Sequence, residues 1–81
     1  MIIRVLFFAV AKDLCGISQV ELALSEGATL ADVKHQLSQQ FPGIRELLPR
    51  CAFAVDQEYA NDDYLIQAGC EVACIPPVSG G

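Results

Sequence analysis

The pattern of apolar and polar residues predicts an α+β domain, with one main helix packed on one face of a mixed four- to five-stranded sheet. Three observations carry this. Strand-like and helix-like stretches follow one another as strand, strand, helix, and then two or three further strands. The first and last strands are the most continuously apolar, which places both in the middle of the sheet and beside each other. Only one stretch has the periodicity of a sheet-covering helix, and one helix covers one face.

Arg4-Val5-Leu6-Phe7-Phe8-Ala9-Val10 is β-branched and aromatic, and so apolar that it predicts a central strand covered on both sides. Ala11 to Gly16 reads as a loop or short turn. Val20-Glu21-Leu22-Ala23-Leu24 alternates, with Val20, Leu22 and Leu24 on one face, as in a half-buried edge strand closed by Ser25-Glu26-Gly27. Thr29 has the chemistry of a helix N-cap, with Asp32 three residues on in a capping-box arrangement. Leu30, Val33, Leu37 and Phe41 follow as one apolar stripe, and Pro42-Gly43 ends the helix. Ile44 to Leu48 suits a short helical turn before Pro49. Cys51 to Val55 is a strand, Asp56-Gln57 a tight turn, and Glu58-Tyr59 a short return strand. Asn61-Asp62-Asp63 forms a loop, Tyr64-Leu65-Ile66 packs ahead of Gly69, and Glu71 to Ile75 is the last strand. The combination is a β-grasp, the ubiquitin-like architecture.

Composition narrows the function. The chain has 81 residues, 53% of them hydrophobic, which suits one small domain with a well-filled core and an apolar patch for a partner. No apolar run approaches the roughly 20 residues of a membrane span, and the start lacks the features of a signal peptide, so a cytoplasmic protein is expected, with no membrane partner. Ten acidic against five basic residues give a net charge of −5, with Lys12, Lys34, Arg45 and Arg50 scattered, which argues against nucleic acid. It suits a protein partner with a basic groove. Cys70 and Cys74, on one strand, would lie about 13 Å apart, too far for a disulfide or a shared zinc. The four cysteines therefore read as small buried hydrophobes, and no metal is expected. His35 falls about 200° round the helix from the apolar stripe, outward and without a catalytic partner. Asp56, Glu58, Asp62 and Asp63 lack the spacing of a calcium loop and read as solvated turns.

The strongest functional signal is Ile75-Pro76-Pro77-Val78-Ser79-Gly80-Gly81. Proline favours an extended path, so residues 1–75 are expected to form the domain and residues 76–81 a projecting tail, reaching about 18 Å at roughly 3 Å per residue. Gly80 and Gly81 carry no side chains, so the tail fits a channel no wider than a backbone and delivers one group, the α-carboxylate of Gly81. That carboxylate is the expected working part.

Val5-Leu6-Phe7-Phe8-Ala9, Phe53 to Tyr59, and above all the close Glu71-Val72-Ala73-Cys74-Ile75-Pro76-Pro77-Val78-Ser79-Gly80-Gly81 resemble the small, sulfur-carrying subunits of molybdopterin synthase. The resemblance implies that Gly81 is adenylated by a ubiquitin-activating-like enzyme using ATP, then converted to a thiocarboxylate with sulfur from a sulfurtransferase donor. It implies delivery of that sulfur to a cyclic pyranopterin monophosphate inside a heterotetramer of two large and two small subunits. The only modification expected is the covalent thiocarboxylate, with no bound cofactor and no turnover by the chain alone. Where the family often has an aromatic or bulky residue in the last strand, this chain has Cys74 followed by Ile75. Phe8 and Ile75 are the expected apolar docking residues, with Pro76, Pro77, Val78, Ser79 and Gly80 threading into the partner. A carrier for thiamin or tRNA thiolation, and a ubiquitin-like modifier forming isopeptide bonds, need the same activated Gly81 and remain open at this stage.

Overall fold

The structure, a computed structural model, describes residues 1–77; Val78, Ser79, Gly80 and Gly81, all named above, lie outside the described residues. The elements run β1 (Ile2–Phe7), α1 (Ala9–Cys15), β2 (Gln19–Ala23), α2 (Leu30–Gln40), β3 (Ala52–Val55), β4 (Glu58–Tyr59) and β5 (Glu71–Ile75). Two 3₁₀ turns, Pro42–Ile44 and Leu48–Arg50, link α2 to β3.

The sheet has five strands in the order β2-β1-β5-β3-β4. As expected, the two most apolar strands are central neighbours, and they run parallel: Arg4 pairs Glu71, Val5 Val72, Leu6 Ala73 and Phe7 Cys74. β2 is antiparallel to β1, and β3 is antiparallel to both β5 and β4. Helix α2 crosses one face with Leu30, Val33 and Leu37 fully buried, meeting Ile3, Val5, Phe7, Leu22, Phe53, Val72 and Cys74 from the sheet. Its first turn is held by Asp32, whose Oδ2 accepts the Thr29 N–H at 2.8 Å and the Thr29 hydroxyl at 3.2 Å. The Phe7 and Phe41 rings meet edge to face, 5.4 Å between centroids, where α2 ends.

Five expectations are corrected. β1 ends at Phe7, not Val10, because the chain reverses at Ala9 (φ 51) and enters α1. The expected loop from Ala11 to Gly16 is instead the body of α1, closed by Gly16 at φ 78, whose N–H donates to the Lys12 carbonyl at 2.9 Å. β1 is also covered on one side only: Ile3, Val5 and Phe7 are buried, while Ile2 and Arg4 are exposed and Leu6 half-buried. In the segment ahead of Gly69 only Ile66 packs; Tyr64 and Leu65 stay exposed. The single turn expected at Ile44 to Leu48 is two 3₁₀ turns flanking residues 45–47.

The β3–β4 hairpin turns through Asp56 (φ 47) and Gln57 (φ 73), both left-handed without glycine. Positive φ at both central residues is the signature of a type I′ turn, whose twist matches that of the strands. Asp56 tolerates this conformation and is tied to β5: its N–H donates to the Glu71 carbonyl (2.8 Å) and its Oδ1 accepts the Glu71 N–H (3.0 Å). Gln57 has no such compensation. Gln57→Gly is expected to stabilise the domain by about 0.5–1 kcal/mol, the left-handed strain relieved exceeding the entropy lost. A melting midpoint a few degrees higher checks it; a lower one refutes the strain assignment.

Candidate functional site

With one helical layer, the sheet keeps an open face. Strand alternation and register decide what lies on it. Leu6 (β1), Ala73 (β5), Ala54 (β3) and Tyr59 (β4) stand in one row across four strands. One step along, Phe8 follows Phe7 out of β1 beside Ile75, because Phe7 is paired with Cys74. These six residues line a shallow groove of about 350 Å³, with Gln57 and Glu71 at its other end. Leu6, Ala54 and Ala73 make the floor, and Phe8 (45% exposed) and Tyr59 (78% exposed) the walls.

The surplus of apolar residues in the first strand therefore supplies this face; it does not mark burial on two sides. Phe8 and Ile75 lie together at the tail end of the groove, Phe8 exposed and Ile75 half-buried. Pro76, expected to begin the projecting tail, is instead buried against the body, while Pro77 is exposed. Tyr59 was not singled out from the sequence. Its signal was the tight Asp56-Gln57 turn, which puts Tyr59 across from Ala54 and so on the open face.

Cys74 sits on the opposite, covered face and is fully buried, while Ile75 takes the outward place. Burial, with the neighbouring Cys51 thiol, pushes the Cys74 thiol far above the usual range. Burial also raises Cys15, Cys51 and Cys70. All four are free thiols, and a raised pKa means little thiolate at neutral pH, so none is set up as a nucleophile. His35 is exposed on α2. Among the described residues no group of three His, Cys, Asp or Glu side chains could hold a metal, and no helix is long and apolar enough to cross a membrane. The described body offers an open, largely apolar face beside Pro76 and Pro77, with no catalytic constellation among the described residues.

Residues 5–81 match the ThiS family. The chain is 36% identical to the molybdopterin synthase sulfur carrier subunit of Chlamydomonas reinhardtii over 83 residues, covering all of both chains. Among solved structures, SAMP1 from Haloferax volcanii superposes with a TM-score of 0.93 at 24% identity, each chain fully covered. A chain of the complex of subunits 1 and 2 of the Helicobacter pylori molybdopterin-converting factor is similarly covered, at TM-score 0.74 and 24% identity. At those identities the structural likeness shows the fold, the ubiquitin-like β-grasp expected from the sequence.

The face assignment has a direct check in two adjacent phenylalanines. Phe7→Lys puts an unpaired charge in the core and is expected to cost about 4 kcal/mol or more, enough to unfold a domain of this size. Phe8→Lys, on the open face, is expected to shift stability by less than about 1 kcal/mol. Equal losses in circular dichroism melts would mean that Phe8 is core.

Proposed function

We propose, on the premise that this chain belongs to the ThiS family and stands among the molybdopterin synthase sulfur carrier subunits, that it carries sulfur on the carboxylate of Gly81. It delivers that sulfur, within molybdopterin synthase, for molybdenum cofactor biosynthesis. The observation that carries this reading beyond the family is the shared position of two features: the apolar end of the open face, Phe8 and Ile75, adjoins the Pro76-Pro77 exit. A partner that covers the face also receives the tail, so docking and delivery become one event.

The chemistry follows from the properties of a carboxylate. At neutral pH it is anionic and lacks a leaving group, so it resists nucleophiles. A ubiquitin-activating-like enzyme joins it to AMP from ATP, releasing pyrophosphate and supplying the leaving group. Sulfur from a sulfurtransferase donor then displaces AMP and leaves a thiocarboxylate, a soft anionic nucleophile. On the large subunit, in an assembly of two large and two small chains, this sulfur bonds to a cyclic pyranopterin monophosphate. Water then cleaves the acyl carbon–sulfur bond, leaving the sulfur on the pterin and restoring the carboxylate of Gly81. Pro77, Val78, Ser79 and Gly80 serve as the stem that threads it inward, and Gly81 leaves the reacting carbon unhindered. The acyl group is the chain's contribution; the pocket belongs to the partner.

Position of the reacting carbon is the sharpest test. Deleting Gly81 leaves the same kind of carboxylate on Gly80 but withdraws it by about 3.5 Å, well outside a near-attack geometry. Adding one residue after Gly81 advances it and introduces a side chain. After incubation with activating enzyme, ATP and a sulfur donor, intact mass is expected to rise by about 16 Da for the native chain, oxygen exchanged for sulfur. Both altered chains are expected to gain nothing. Equal loading of all three overturns the reading.

A further inference from the structure

The open face changes character along the strands. Phe8 and Ile75 make the tail end apolar, and Leu6, Ala73, Ala54 and Tyr59 continue it through the middle. At the far end the register sets Glu21 of β2, Arg4 of β1 and Glu71 of β5 side by side in one row. Arg4 Nη1 lies 3.6 Å from Glu71 Oε2, with side-chain exposures of 54% and 39%. That separation is longer than the roughly 2.7–2.9 Å of a charge-assisted hydrogen bond. One guanidinium thus stands between two carboxylates, and the row keeps an excess of negative charge on a chain that is itself at −5.

Glu71 also lines the groove. Along β5 the step from Ala73 to Glu71 spans about 7 Å, so the apolar floor leads within one side chain's reach to a partly satisfied carboxylate. This profile fits a long cationic side chain, which lays its methylenes on apolar surface while its charged head seeks a polar partner. The exposed Tyr59 ring on the wall offers the same cation a π face.

We propose that in the docked complex this groove receives an arginine or lysine side chain of the large subunit, its stem on Leu6, Ala54 and Ala73 and its charge on Glu71. Arg4 then turns from Glu71 toward Glu21. The inference rests on the docking reading above and adds the partner's chemistry. Apolar contact near the tail holds the complex, and the cation in the groove sets its orientation and speeds encounter.

Opposite signs in two charge-removing variants test it. The full chain is titrated against purified large subunit of molybdopterin synthase at low and high salt, reading association rate and Kd. Glu71→Gln is expected to weaken docking about tenfold and flatten its salt dependence. Arg4→Gln is expected to strengthen docking a few-fold, because it removes the competitor for Glu71. Both leave the melting temperature of the free domain nearly unchanged, as an exposed pair contributes little. If both variants weaken docking alike, or neither changes it, the groove does not receive a cation. Phe8→Lys, measured in parallel, separates the two readings. Loss of docking there with no effect of Glu71→Gln overturns the groove proposal alone; no effect of any of the three variants overturns the docking face as well.

Discussion

Everything functional in this domain depends on the parallel pairing of its first and last strands. β1 and β5 are separated by most of the chain, yet Phe7 lies beside Cys74. Parallel strands leave the sheet in the same direction, so the residue after β1 and the residues after β5 emerge at the same end. That geometry brings Phe8 next to Ile75 and puts an apolar surface where Pro76 and Pro77 carry the chain away. An antiparallel pairing of the same two strands would place Phe8 and the tail at opposite ends of the sheet.

The second constraint is the number of layers. One helix of three turns buries one face of the sheet, through Leu30, Val33 and Leu37 against β1, β2, β3 and β5. Among the described residues no element covers the other face, where Leu6 and Ala73 are half-buried beside the buried Ala54. A small domain that leaves Phe8 and Tyr59 in water sacrifices burial that its stability would otherwise use. In the proposed docking, the same surface would supply the few large apolar anchors that count most in association.

The two faces divide the labour. The covered face holds the inert groups, among them Cys74 directly beneath the tail base, whose thiol is driven up by burial and so kept out of thiol chemistry. In the proposed function the open face meets the partner and the tail supplies the reacting group.

The β-grasp was legible in the sequence because it rests on local signals: alternation in β2, the 3.6-residue stripe of α2 with its Thr29–Asp32 cap, and the turn at Asp56-Gln57. The expectation for Gly80-Gly81 rests on covalent sequence alone, and those residues lie outside the described ones. Helix α1 was not. Its buried face is only Ala11 with half-buried Cys15, while Val10 and Leu14 point to water, so its apolar pattern does not mark the packed side. The meaning of the long apolar run in β1 was also hidden. Two covered faces and one covered face plus a docking surface write the same string of Val, Leu and Phe. Only the number of layers above the sheet tells them apart. The groove itself, with Tyr59 opposite Phe8 and Glu71 beside Arg4, comes from strands distant in sequence, and their neighbourhood is set by register. The residue types were therefore determined by the chain, and their assembly into one surface by the tertiary fold, because hydrogen-bond pairing across the sheet is a non-local interaction.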